Sequence, residues 1–398
     1  MGTSSALGRG RVQQAGETRS ARIESLRALA ALAVVVGHVW VTSVGTADTY
    51  LHRAALGGGF GVFLFFALSG YLLYRPFARR DFAGGTPVQL WRYALNRALR
   101  ILPLYYAVVL VLLVVLGHGD RHLWLRFPLM IQGFFPDTVI ALDGPLWSLV
   151  VEVQYYLLLP FIAAFVALAS TRRLVMGAAA VLGLGLASAV LREVTVQLPA
   201  HPSEVWRYSF LTNFVFFVPG MLLPLWQVAL ERRKPGWMEG VASRSSAWLC
   251  VAAAAWLLTF VNYSWWFVIL VAAFLTVAAC VLPLRPGRGV RALEWRPLAL
   301  VGVASYSLYI WHDPIVGRLP RLGLPAHNFW IQLAVAIPLM LVIAAVSYRA
   351  IEAPWLRWRS AWSRATPLGG GSEEQGALAD APQRAGGNLH AVKQEEPT

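Results

Sequence analysis

The chain has 398 residues, 57% of them hydrophobic and only 14% charged, with 17 Trp and a formal net charge of +14. An ordinary soluble domain is about a quarter charged, so this composition excludes a conventional water-soluble enzyme and points to lipid. The excess of Lys and Arg is then read as membrane topology, and nucleic acid is not an expected partner.

Residues 1–25 are polar and are expected to remain as a cytoplasmic segment, because a secretory signal has a shorter charged region and a small-residue cleavage site. Ten apolar runs follow, at 26–44, 56–75, 101–117, 146–169, 173–191, 210–228, 246–261, 264–283, 298–317 and 329–350. Most approach the ~20 residues that a crossing helix needs. The stretch 123–135 is too short and holds Arg126 and Pro128, so it is predicted to be interfacial or re-entrant. The seventh and eighth runs meet at Asn262-Tyr263-Ser264, which suggests a tight hairpin. Cys250 and Cys280 lie in separate runs and support neither a disulfide framework nor a metal site. Residues 356–398 are expected to be a cytoplasmic tail, disordered from about Thr366, where Gly, Ala, Glu and Gln dominate without apolar periodicity. The predicted fold is an all-α polytopic bundle of about ten transmembrane helices, with the membrane domain at 26–355.

Of the 34 Lys and Arg, 26 fall in the N-terminal segment, at the C-terminal end and in the loops after the second, fourth, sixth and eighth runs; seven fall in the alternate loops, and the last is Arg27. The positive-inside rule makes the richer set cytoplasmic. Both termini are then cytoplasmic, as an even number of crossings requires.

Ionisable residues well inside the runs are few: Arg27 and His38 in the first, Glu152 in the fourth, His312 and Asp313 in the ninth. An Arg at a helix centre costs about 2.5–3.5 kcal/mol on insertion scales, so each such group is a functional candidate. Arg27 and His38 are eleven residues apart, which puts them on one helix face, roughly 16 Å apart along the axis. At ~1.5 Å per residue, His38, Glu152 and His312 are expected in one layer in the outer half of the bilayer. Arg27 is expected at the inner surface, Ser69 in the inner half, and Arg97 and Arg100 at the inner mouth of the third run. The expected picture is a cationic inner mouth beneath a His/Glu/His layer, which suits an enzyme or a transporter better than an anchor. Trp265, Trp266 and Trp311 read as interfacial anchors.

Five segments carrying these residues resemble the membrane O-acyltransferases often called acyltransferase family three. They are RIESLRALAALAVVVGH (22–38), GVFLFFALSGYLL (61–73), NRALRILPLYY (96–106), GPLWSLVVEVQYYLLLP (144–160) and ASYSLYIWHDP (304–314). Each is weak alone; five in family order over about residues 22–355 are specific. Members acetylate bacterial surface polysaccharides or acylate macrolides and other secondary metabolites. The resemblance implies acyl-coenzyme A as donor, with an acetyl group as the expected cargo, and a hydroxyl of a carbohydrate or secondary metabolite as acceptor. It implies His38 as the general base, a role that suits imidazole near neutral pH. Glu152 would hold the imidazole tautomer if the first and fourth helices touch. His312 would be a second catalytic or acceptor-site group, or a structural partner of Tyr309 or Asp313. Arg97 and Arg100 would hold the donor's phosphates, with Arg27 adding to that cradle. Ser69 and Gly70 would form a donor-lining wall.

Two departures from the family pattern stand out. Glu24-Ser25 replaces an acidic-Gly pair, and Asp313 adds a charge between His312 and Pro314 where an aromatic or apolar residue is usual. No fused extracytoplasmic hydrolase-like domain is evident, which slightly favours a small-molecule acceptor. The rival class is a proton-coupled secondary transporter or exporter, since intramembrane His and Glu also build proton relays. Against it, no Gly/Pro-broken runs occur in matching halves, and Arg97 and Arg100 have no transporter rationale. A non-catalytic binder of an acylated ligand is a third class, disfavoured by the presence of both His38 and Glu152.

Overall fold

The computed structural model describes residues 3–44, 61–115, 120–233, 236–261, 265–282, 286–325 and 327–365. Every regular element among them is helical, as lipid demands of a chain whose backbone polar groups must be satisfied within each segment. Among the described residues six helices are long and apolar enough to cross a membrane: Ser20–Val44, Gly61–Ala83, Leu90–Val115, Leu146–Ala169, Leu174–Gln197 and Phe329–Arg359. A seventh crossing results if the pair Phe210–Phe216 and Val218–Arg232, bent by 43°, counts as one.

The long helices are α1 (Thr3–Val44), α2 (Gly61–Ala83), α3 (Leu90–Val115), α4 (Leu146–Ala169), α5 (Leu174–Arg192) and α6 (Val218–Arg233). They continue with α7 (Ser245–Val261), α8 (Trp266–Val281), α9 (Arg296–Val303), α10 (Ser305–Val316), α11 (Phe329–Ser347) and α12 (Ala353–Ala365). α7 and α8 are only 17 and 16 residues long. The hairpin expected at 262–264 and the tail beyond 365 lie outside the described residues.

Two runs read as continuous are broken. The ninth divides at Ala304 into α9 and α10. The sixth divides near Phe217, where side chains take over freed backbone groups: Ser188 Oγ accepts from Val215 N at 3.0 Å, and Asn213 Nδ2 donates to the carbonyls of Arg207 and Ser209. Their counterparts in a half-by-half comparison, the first and fourth runs, are unbroken helices.

α1 is the central element, packed against α2, α9, α10 and α11. Ile23, Leu26 and Ala30 join a cluster with α2 and α8, while Ala31, Val35 and Val39 join one with α10 and α11. The i, i+4 spacing within each set is what lets one helix serve two cores. Outward, α4 presents Leu157, Phe161, Phe165 and Leu168, all more than half exposed. An apolar stripe of that kind marks a lipid-facing surface. Trp311, expected as an interfacial anchor, instead donates from Nε1 to Ser347 Oγ at 3.2 Å between α10 and α11.

α2 and α6 cross at glycines. A Cβ on Gly220 would stand 1.8 Å from the Ala67 carbonyl oxygen, and one on Gly70 would stand 2.2 Å from that of Phe217. Around the stretch 123–135, short helices Arg121–Arg126 and Gln132–Phe134 fold against the protein, burying Phe127, Gln132 and, further on, Asp143. Tyr105 Oη anchors them by donating to the Phe127 carbonyl at 2.7 Å.

Candidate active site

His38 of α1 and His312 of α10 meet edge to face, with ring centroids 4.5 Å apart and planes at 81°. His38 Nδ1 lies 2.9 Å from the Val34 carbonyl oxygen. His312 Nδ1 bonds to the Tyr309 carbonyl. A carbonyl only accepts, so each neutral ring carries its proton on Nδ1 and leaves Nε2 as a base. His38 Nε2 faces Asp313 Oδ1 at 4.0 Å, both side chains being about one-third exposed. His312 is fully buried, and its Nε2 has no hydrogen-bond partner among the described residues.

Below this pair, Tyr309 Oη hydrogen-bonds Ser148 Oγ at 2.7 Å and donates to the Pro145 carbonyl at 3.2 Å. Tyr309 and Ser148 also line a cavity of about 110 Å³, together with Arg27, Ser69, Arg97, Arg100, Glu152 and Tyr156. Ser69 Oγ donates to Glu152 Oε1. The Arg97 guanidinium lies 6.0 Å from the Tyr156 ring centroid. Arg27 pairs with Glu24 at 3.2 Å, and Arg100 pairs with the buried Glu352 at 2.8 Å. Tyr309 thus joins a cationic cavity to a pair of imidazole bases.

The structure brings together His38 with His312, and Arg27, Arg97, Arg100 and Ser69 with Glu152. Two expected placements are corrected. Glu152 does not hold the His38 imidazole; it sits with Ser69 in the arginine cavity, and the carboxylate facing His38 is that of Asp313. The segment before α4 buries Asp143 just ahead of Leu146 and sets the Gly144 turn beside Asp313, the carboxylate that faces His38. Gly70 lines no wall of the cavity; it faces the α6 backbone at Phe217. Gly70→Ala should therefore overpack this crossing and cost about 1–3 kcal/mol of stability. An unchanged thermal midpoint in detergent would contradict so close an approach.

Sequence reasoning missed Asp143, Ser148, Tyr309 and Glu352 as site residues. Ser148 and Tyr309 lie inside the quoted motifs, and Asp143 immediately precedes one. Glu352 falls two residues past the tenth run, where a search confined to run interiors does not look.

The profile of a family described as an acyltransferase domain matches residues 20–349. The chain is 27% identical over 366 residues to the peptidoglycan O-acetyltransferase OatA of Listeria monocytogenes, covering 83% of this chain and 55% of that protein. It is 26% identical over 369 residues to the putative peptidoglycan O-acetyltransferase YrhL of Bacillus subtilis, covering 83% and 54%. A putative O-acetyltransferase of Staphylococcus aureus is 24% identical over 380 residues, covering 85% and 59%. The chain spans a little over half the length of these curated relatives. No solved structure matches it. None of these findings favours the transporter reading. With five motifs in order and a profile match over residues 20–349, the chain belongs to acyltransferase family three, a family of transferase enzymes.

Proposed function

We propose that the protein is an integral-membrane O-acyltransferase that moves an acyl group, specifically acetyl, from acyl-coenzyme A to a hydroxyl of a carbohydrate or secondary metabolite. The observation that carries this reading is the continuity of the arginine cavity with the two imidazoles through Tyr309 and Ser148. His38 Nε2 takes the acceptor's hydroxyl proton as its oxygen attacks the thioester carbonyl. The C–O bond forms, the C–S bond breaks, and the proton passes on to the departing thiolate. His312 Nε2 offers a second acceptor for the incoming hydroxyl. Arg27, Arg97 and Arg100 bind the donor's phosphates, to which their planar forks are suited. Glu24 and Glu352 balance two of those charges until the donor arrives. Ser69 and Glu152 line the path of its acyl-bearing arm.

The ten-crossing topology with both termini cytoplasmic belongs to this reading, because it opens the arginine cavity to the compartment that supplies the donor. In that topology the protein sits in the cell membrane. The relatives' names place glycan hydroxyls at the head of the acceptor panel, ahead of the small-molecule acceptor that the sequence favoured. The test is to incubate the purified protein in detergent with radiolabelled acetyl-coenzyme A and peptidoglycan fragments, simple sugars or macrolides. Label is expected in an ester on one acceptor class. No transfer, together with no donor binding by calorimetry, would refute the coenzyme A reading.

A further inference from the structure

Asp143 is a buried ionisable group that the mechanism above leaves without a task. It sits at the end of the segment that precedes the Gly144-Pro145 turn into α4, and is 3% exposed. Neither of its carboxyl oxygens has a hydrogen-bond donor among the described residues. What it lies against is a second carboxyl, that of Asp313 on α10. The same turn lies beside Asp313: a Cβ on Gly144 would stand 3.9 Å from Asp313 Oδ2, an ordinary contact distance. Asp313 in turn directs Oδ1 at His38 Nε2, 4.0 Å away. Two neighbouring ionised carboxylates repel, whereas one proton shared between them makes a hydrogen bond and leaves a single charge.

The groups facing Asp143 are Asp313 and Tyr309 on α10, Arg318 just beyond it, and Tyr105 on α3. Burial, and after it the neighbouring Asp313, holds the Asp143 carboxyl well above the usual carboxylate range; Arg318 acts in the opposite sense. Asp143 is therefore the partner placed to hold a proton toward Asp313, whose side chain is about one-third exposed beside His38.

We propose, resting on the reading of His38 as the base, that Asp143 is a positioning residue: as a carboxylic acid it donates a hydrogen bond to Asp313 and holds that carboxylate against His38. When His38 takes the acceptor's proton, the Asp313 charge offsets the imidazolium that forms. The Asp143 proton itself does not move during turnover. Asp313 stands where the family resemblance puts an uncharged residue, so the pair is a feature of this chain.

The full-length protein tests the proposal through Asp143→Leu and Asp143→Asn. The Leu variant removes the donor and should lose about 10–100-fold in kcat, the range expected when an orienting partner of an imidazole is lost, with KM for the donor little changed. An amide N–H can replace the acid O–H, so Asp143→Asn should recover at least about tenfold over Leu. The pH profile carries a sign. Above its raised pKa the Asp143 carboxyl ionises, loses the bond and repels Asp313, so activity falls on the alkaline side. In the Asn variant that limb should move to higher pH. Equal loss in both variants, or none in Leu, would overturn the proposal. If Asp143→Leu does not fold, the limb in Asn still decides. Infrared spectroscopy reads the pair without turnover: the carbonyl band of a protonated carboxyl should be present at neutral pH and absent from Asp143→Asn. A wild-type chain that transfers no acetyl would refute the role of His38, while a missing band would refute the pair.

Discussion

Replacing His38 with alanine is expected to lower kcat for acetyl transfer by about 10²–10⁴-fold, the usual contribution of a positioned general base. Donor affinity should stay close to that of the parent, because the residues proposed to hold the donor, Arg27, Arg97 and Arg100, line the cavity and His38 does not. The expected signature is thus a fall in kcat with an unchanged dissociation constant for acetyl-coenzyme A. The variant should also fold. Among the described residues the His38 ring bonds to the Val34 carbonyl of its own helix, meets His312 edge on and faces Asp313 at 4.0 Å, so its loss removes few packing contacts. Calorimetry with the donor and single-turnover kinetics on the same preparation separate the two effects. Loss of donor binding in proportion to kcat would move His38 from the chemistry to the donor site. His312→Ala makes a useful contrast, because it empties a fully buried position and should cost stability as well as rate.

Much of this site was legible in the sequence because helical spacing and depth are nearly linear in residue number. His38 and His312 come from helices far apart in the chain, yet counting from the N-terminal ends of two apolar runs put them at one level, and they touch. α4 spans Leu146–Ala169, the same bounds as the fourth run. Counting failed where the chain does not run straight across the bilayer. Glu152 was assigned to the histidine layer on the premise that its helix starts at the outer surface. The segment before it instead buries Asp143 beside Asp313, and Asp313 is the carboxylate that faces His38. The breaks near Phe217 and at Ala304 left no trace in hydropathy, because the residues around them stay apolar. What permits the first break is polar satisfaction from distant or short side chains such as Ser188 and Asn213. Pairings of that kind depend on tertiary contacts that no single run encodes.

Glu352 makes the largest stability prediction. It ends the π-helical turn Tyr348–Glu352 that follows α11, and its side chain is 2% exposed. One carboxylate oxygen accepts from Arg100 Nη1 at 2.8 Å and the other from Ser307 Oγ at 2.5 Å. This single side chain therefore ties the C-terminal end of the bundle to α3 and α10. Glu352→Leu would leave the Arg100 guanidinium buried without its counter-charge, and breaking a buried pair from one side costs about 3–5 kcal/mol. That is a large part of the ~5–15 kcal/mol by which folded proteins are stable. Arg100→Met should cost a similar amount by stranding the carboxylate. The double variant should be much closer to the parent than either single one, since an apolar pair of similar volume removes both desolvation penalties. Thermal unfolding in detergent of the four proteins gives the cycle directly. If the two losses simply add, Arg100 is solvated through the cavity and the pair is not a structural tie. The same double variant then separates fold from function: it keeps the bundle but lacks one of the three arginines proposed to hold the donor, so it should bind acetyl-coenzyme A more weakly while unfolding near the parent's temperature.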